Sequence, residues 1–253
     1  MLALEWMDNA AGIMEKLKTT QLENVKKAAL AMADSIEKKR WVHTFGCGHA
    51  TIPVEEMYPR IGGFVGFHPI VELPMTFFTG ITGQMGIHQF LFLERCQGYA
   101  EAIMKQYNFS SDDCLWIFSH TGINNVNIEM ALKAKELGMT VIAYGSAAEA
   151  KGKKTRHPSG KTLFEIADIV VDSCVPVVDA SVVLKDHQDK IGPLSTFAFV
   201  NLVWMTITTV AEILADRGVK LYINPSHNVP GDTTAQERLD ACLNEYKVRV
   251  SKL

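Results

Sequence analysis

The sequence predicts an α/β fold: a parallel sheet covered by helices on both faces. Short apolar runs alternate with helical stretches from residue 41 to residue 172, which is the signature of βαβ units. Two of those runs open directly into glycine-containing loops that lead into helices. No internal repeat or composition break divides the 253 residues, so one domain over 1–253 is expected, with helices over 1–40 preceding the α/β core.

Residues 4–18 place Trp6, Ala10, Ile13, Met14 and Leu17 at a helical period. Thr20, Gln21, Leu22 and Glu23 read as a capping box that starts a second helix. Its apolar stripe is Leu22, Val25, Ala29, Met32 and Ile36, and the polar residues 37–40 close it. The first strand is expected over 41–45 and the helix after it up to Ile61, ended by Gly62 and Gly63. A second strand follows over 64–71, then a Gly/Thr/Pro loop over 72–86 and one helix over 87–107. Strands at 114–119, 140–144 and 169–172 complete the set, with helices at 125–137 and 161–166 between them. A long helix begins at Ser195.

Composition narrows the function classes. Hydrophobic residues make up 47% and charged residues 21%, an ordinary globular balance that argues against disorder. With 25 Lys+Arg against 28 Asp+Glu, the net charge of −3 offers no footprint for nucleic acid. The five cysteines are scattered, without C-x-x-C spacing. Reduced thiols in a cytoplasmic protein are therefore expected, and no zinc site. The first 18 residues have acids early and no basic segment ahead of an apolar run, so no secretory signal is expected. The most apolar stretch, residues 197–215, contains Asn201, Thr206, Thr208, Thr209 and Glu212, and reads as a buried helix, not a membrane span.

In open parallel sheets, ligands bind beyond the carboxyl ends of the strands, where strand order reverses. Two loops there carry the chemistry. Gly46, Cys47, Gly48, His49, Ala50 and Thr51 follow the first strand. Glycine allows close backbone approach to a ligand, and the next helix offers free N–H groups to an anion. Thr51 stands where a dinucleotide fingerprint needs its third glycine, and no G-K-S/T follows for a P-loop. Ser119, His120, Thr121, Gly122, Ile123 and Asn124 follow the third strand, with hydroxyls, amides and a glycine suited to an oxyanion. The plainer reading of each loop is an ordinary strand-to-helix turn with helix capping.

Taken together, these loops resemble the sugar isomerase (SIS) domain, whose pattern is strand–GxG–helix and strand–SxSGxT–helix. Thr155, Arg156, His157, Pro158, Ser159, Gly160 and Lys161 resemble a bacterial SIS subgroup of similar length described as phosphosugar-binding. Glu55-Glu56-Met57, Leu93-Glu94-Arg95, Gly98-Tyr99-Ala100-Glu101 and Asn228-Val229-Pro230-Gly231 match the same subgroup. The resemblance implies a flavodoxin-like three-layer sandwich with a five-stranded parallel sheet and added N-terminal helices. It also implies a homodimer or homotetramer with active sites at subunit interfaces, and no cofactor. Known members are aldose–ketose isomerases, an etherase for a phosphorylated amino sugar, and sugar-phosphate sensors of regulators. Two positions depart from the pattern: Ala50 replaces the usual Ser, and Ile123 replaces an expected Arg or other polar residue.

Isomerisation needs a base that moves a proton between neighbouring carbons, a role for carboxylates and histidines near neutral pH. Successive helical residues diverge by about 100°, so one of Glu55 and Glu56 is expected to face the pocket, and Glu56 is favoured. Glu94 lies among Phe90, Leu91 and Leu93, where a carboxylate must be paired or functional. Glu101, seven residues on in the same predicted helix, would share its face. His49 and His88 are candidate acids, while His43 reads as a core residue. The expected catalytic set is Glu56, Glu94, His49 and His88. Substrate binding is assigned to Gly46, Gly48, Thr51, Ser119, His120, Thr121, Gly122, Asn124, Arg156 and His157. No H-x-x-x-H or H-E-x-x-H spacing exists, so no metal site is expected; one assembled from distant residues such as His49 and Glu94 would leave no linear signature and stays open. The expected function is isomerisation of a phosphorylated or sulfonated sugar; a non-catalytic sensor and a lyase or etherase stay open.

Overall fold

The computed structural model describes residues 1–57, 59–76 and 86–253. Helices α1 (Leu2–Thr20) and α2 (Leu22–Glu37) precede strand β1 (Val42–Gly46). A 3-10 turn (Gly48–Thr51) and the short α3 (Ile52–Glu55) lead to β2 (Phe67–Pro69). Then follow α4 (Ile87–Leu93), α5 (Tyr99–Met104), β3 (Cys114–Phe118), α6 (Asn125–Glu136) and β4 (Thr140–Gly145). The chain continues through α7 (Ala147–Ala150), α8 (Leu163–Ile166), β5 (Ile169–Asp172), β6 (Ala180–Val183) and β7 (Lys190–Pro193). It closes with α9 (Ser195–Asp216) and α10 (Ala235–Val250).

The five strands of the main sheet run parallel in the order β2-β1-β3-β4-β5. Successive side chains on a strand point to opposite faces, and both faces are apolar here. Trp116 and Phe118 pack with Ala28, Ala29 and Met32 of α2 and Phe199 and Leu202 of α9. Leu115 and Ile117 pack with Ala100 and Ile103 of α5 and Val126, Met130 and Ala131 of α6. Helix layers on both sides of one parallel sheet make the predicted three-layer sandwich. The reversal of strand order falls between β1 and β3. Their register pairs Gly46 with Phe118, so both strands end at one level and their loops lie side by side.

Several local expectations are corrected. The capping box at Thr20 does not form: α1 runs through Thr20, whose hydroxyl donates to the Lys16 carbonyl at 2.7 Å. Gln21 makes the junction instead, its side-chain oxygen accepting the Asp172 N–H at 3.0 Å and so tying the helix pair to β5. The helix after β1 stops at Glu55 and not Ile61, because the ring of Pro59 would clash with a helical carbonyl four residues back. Strand β2 is shorter than predicted, and Phe64 instead forms an antiparallel bridge with Ile223.

The predicted 87–107 helix is two helices, broken where Gly98 adopts φ +80°. Both carboxylate oxygens of Glu129 accept the Gly98 N–H, each at 2.9 Å, and hold that turn. The β6–β7 hairpin was not expected from the sequence; its strands are only four residues each, and β7 contains a glycine and a proline. The long apolar α9 has the length and composition to cross a membrane, yet it buries one face, including Ala198, Phe199, Leu202 and Val203, against α2 and the sheet. Residues 77–85 of the predicted Gly/Thr/Pro loop lie outside the described residues.

Candidate active site

The cleft forms where the loops after β1 and β3 meet. Gly46 is required there, because a Cβ would overlap the carbonyl of Ala50, a backbone group that cannot swing aside. Gly48 turns the chain with φ +63°, and a Cβ on it would come within 2.8 Å of the Phe90 ring. Thr51 does not reach a ligand position; its hydroxyl donates to the Gly48 carbonyl at 2.7 Å and closes the turn. Gly46→Ala should lower stability by about 1–3 kcal/mol, the usual cost of overpacking. Equilibrium denaturation measures it, and unchanged stability would contradict this tight turn.

In the second loop the Ser119 hydroxyl accepts the Gly122 N–H at 3.1 Å and the Asn127 amide at 3.3 Å. With both acceptor positions used, its own proton is left to donate. Cys47 donates to the Asn127 side-chain oxygen at 3.4 Å, so Asn127 cross-links the two loops. Asp179, from the segment before β6, caps α9 by accepting the Leu194 and Ser195 N–H groups at 2.8 and 2.7 Å and the Ser195 hydroxyl at 2.6 Å.

Around this floor a cavity of about 260 Å³ is lined by Gly48, His49, Glu94, Ser119, His120, Thr121 and Asn124, with Cys47, Asn127, Asp179 and Ser195. A larger one of about 500 Å³ lies between residues 220–226 and α10, away from both loops and all the predicted site residues. The smaller cleft is the functional candidate because polar groups converge on it from the strand ends.

Two carboxylates line the cleft, and Asp179 is engaged in capping α9 while Glu94 is not. Glu94 is 7% exposed, and its Oε2 accepts the Asn124 side-chain N–H at 2.7 Å. Burial raises its pKa above the ordinary glutamate value, with Arg95, Arg156 and the Asn124 hydrogen bond pulling the other way. Arg95 Nε lies 3.9 Å from Oε1. Burial lowers the His120 pKa against the opposing pull of Asp179 and Glu149, which keeps the ring neutral at pH 7. Both ring nitrogens of His120 are buried without a hydrogen-bond partner among the described residues.

Other predicted residues lie elsewhere. Glu56, expected to face the pocket, faces α9 and Arg60: it accepts the Trp204 indole N–H at 3.1 Å and an Arg60 N–H at 2.8 Å. Glu101 no longer shares a face with Glu94, because the Gly98 break separates them; it is exposed and pairs with Lys105 at 2.8 Å. His88 is exposed on the first turn of α4 and does not line the cleft. His157 contacts the Ser159 hydroxyl at 2.9 Å and lies 3.8 Å from Glu129, also off the cleft. Gly122 shapes its loop, with φ +67° and the Phe164 ring 2.8 Å from any Cβ. Arg156 does reach the site, donating to the Asn124 side-chain oxygen. Ile123, where an Arg or other polar residue was expected, is buried, and the guanidinium beside Asn124 is that of Arg156. Asn127 could have been read from its i+3 spacing to Asn124 on one helix face. Asp179 carried no local signal. Among the described residues no group of three His, Cys, Asp or Glu side chains is placed to hold a metal ion.

A glycine turn after β1 and a hydroxyl–glycine loop after β3 thus lie side by side at the switch point. A family model for the SIS domain matches residues 5–146. The chain belongs to the SIS domain family. Full-length relatives are UPF0309 proteins. One from Thermoanaerobacter pseudethanolicus is 31% identical over 256 residues, covering 100% of both chains. Another, from Caldanaerobacter subterraneus, is 30% identical over 243 residues, covering 95% of each. Among solved structures, a phosphoheptose isomerase from Francisella tularensis superposes with TM-score 0.54 at 15% identity, over 84% of this chain and 100% of that one. The phosphoheptose isomerase GmhA of Neisseria gonorrhoeae gives TM-score 0.50 at 14% identity, over 82% and 94%. At these identities the structural likeness establishes the SIS fold and nothing finer. Within this SIS domain, the cleft described above is the one formed at the switch point.

Proposed function

We propose that this protein is an aldose–ketose isomerase of a phosphorylated sugar, with Glu94 as its base. The carrying observation is a buried carboxylate hydrogen-bonded to the loop that offers anion donors. SIS membership and fold neighbours named as phosphoheptose isomerases support a sugar-phosphate-binding or isomerase role. In this reading the anionic end of the sugar lies against the hydroxyls of Ser119 and Thr121. Glu94 removes the proton from the carbon next to the carbonyl, giving an enediolate, and returns it to the neighbouring carbon. Bonds and electrons balance within the sugar, and no redox partner is needed. A base of raised pKa in a desolvated cleft is suited to this transfer near neutral pH. His49, at the turn beside Glu94, is assigned the oxygen-to-oxygen proton movement.

The assembly in this reading is a homodimer or homotetramer, in which the exposed His88 would serve a neighbouring subunit's cleft. Cytoplasmic residence accords with the five free cysteines. A thermal-shift screen against sugar phosphates, sugar sulfonates and neutral sugars tests the substrate class. A sugar phosphate at 100 times its dissociation constant should add about 2.7 kcal/mol of stability, and neutral sugars nothing. Stabilisation by sulfonates alone would replace phosphate as the anion. Stabilisation by none would reject the anion-binding reading. With a binding sugar in hand, mass spectrometry separates isomerisation, which conserves mass, from a lyase reaction, which releases a fragment.

A further inference from the structure

Asn124 stands between two charges of opposite sign. Its side-chain N–H donates to Glu94 Oε2 at 2.7 Å, and its side-chain oxygen accepts from the Arg156 guanidinium. These partners dictate the amide's orientation: turned over, it would set NH₂ against the guanidinium and oxygen against the carboxylate. The arrangement joins an exposed residue to a buried one, since Arg156 lies at the surface and Glu94 does not. The Arg156 backbone is seated too, its N–H donating to the Ile123 carbonyl at 3.0 Å. Glu94 is anchored to the same loop, its own carbonyl accepting the Val126 N–H at 3.3 Å. Asn125 adds a second latch, its amide donating to the Arg95 carbonyl at 2.6 Å.

A guanidinium has five N–H donors in a planar fork that matches a phosphate. Asn124 takes one of them with a single oxygen, which leaves donors for a stronger acceptor. We propose that Asn124 is a positioning residue that couples a phosphate held by Arg156 to the hydrogen bonding and basicity of Glu94. When a phosphate engages Arg156, the positive charge beside the relay is neutralised. Glu94 then loses part of the attraction that favours its ionised form and becomes the stronger base. The base is thus strengthened only when the anionic end of a ligand is in place. The direction agrees with the opposing effects of Arg156 and Asn124 on the Glu94 carboxyl. The other titratable groups at Glu94 are Arg95 on its own segment, Cys47 and His49 from the loop after β1, and His120 and Asp179 across the cleft.

This inference rests on the reading of Glu94 as the base, but its test needs no turnover. Carboxyl carbon NMR of the full-length protein, with the Glu94 signal identified by its loss in Glu94→Gln, follows the Glu94 titration with and without inorganic phosphate. The wild-type midpoint should move up when phosphate is added. In Arg156→Gln it should already be raised and should ignore phosphate. In Asn124→Ala it should also be raised, with the phosphate response lost. Arg156→Lys, which keeps the charge without the fork, should restore a lower midpoint. A wild-type midpoint that stays put while phosphate perturbs the amides of residues 119–122, or one that moves equally in Arg156→Gln, overturns the coupling and leaves anion binding standing. Phosphate that perturbs none of those amides overturns both.

Discussion

Glu94→Gln should lower isomerase turnover by about 10²–10⁴-fold, the usual contribution of a positioned general base. The amide keeps the shape of the side chain and an oxygen to accept from Asn124, but it cannot take a proton. The carboxylate's oxygen bonds to Asn124 at 2.7 Å, so the substituted side chain has a place to dock. Stability should hold or rise slightly, since a buried charge is removed. Sugar-phosphate binding in the thermal-shift assay should persist, which separates loss of chemistry from loss of the site. Glu56→Gln is the control: its partners are Trp204 and Arg60, outside the cleft, so turnover should be unchanged. In heavy water, wild type should incorporate deuterium at the carbon next to the carbonyl, and Glu94→Gln should not. Full turnover in Glu94→Gln, or an equal loss in Glu56→Gln, would remove Glu94 from the role of base.

The protein should also lose stability on mild acidification, from a second cluster at the opposite end of the sheet. His43 on β1 and His68 on β2 are buried with their Nδ1 atoms 3.1 Å apart, and His43 Nε2 lies 3.6 Å from an Asp113 oxygen. Trp41, Tyr107 and Phe109 rings surround the pair. Burial, with the neighbouring His43, lowers the His68 pKa to about 3. Burial also lowers that of His43. Asp113 is buried too, but His43, Arg40 and the Trp41 N–H outweigh that cost and hold it at about 2.

The unfolded chain takes up protons on histidine near pH 6.5, whereas folded His68 refuses one until far lower. Stability is therefore full above pH 6.5 and falls as pH drops toward 3, with Asp113 adding to the loss below its unfolded value of 3.8. For His68 alone the loss at pH 5 is about 2 kcal/mol. Urea midpoints from pH 7.5 to 4.5 measure it. His68→Gln, which cannot titrate, should flatten the slope between pH 6.5 and 5 whatever it does to stability at pH 7. Equal slopes in wild type and variant would show that the pair does not set the acid response.

The parts of the site that were legible in the sequence are those carried by local chemistry. Gly46 and Gly48 announced a turn because only glycine fits there, and Ser119, Thr121 and Gly122 announced a donor-rich loop. Strand ends were readable from apolar runs, so both loops could be assigned to one edge of one sheet. Glu94 was flagged by its apolar neighbours, since an isolated carboxylate cannot sit among them without a partner.

What misled was continuity. Residues 87–107 keep a helical pattern through Gly98, and the break there depends on Glu129, a residue 31 positions away that captures the Gly98 N–H. Once the helix breaks, Glu101 leaves the face of Glu94. Glu56 was placed by the length of a helix that Pro59 cuts short, and its partner Trp204 is 148 residues away. Asp179 reaches the cleft only because the β6–β7 hairpin folds back on the start of α9.

The sequence by itself determined the α/β class, the two loops and their place at the strand ends, because backbone conformation and apolar periodicity are local properties. Only the tertiary structure decided which carboxylate enters the cleft and what surrounds it. Side-chain direction depends on where each helix ends and on partners distant in sequence: the Gly98 N–H donates to Glu129, the Asn124 amide to Glu94, and the Arg156 guanidinium to Asn124.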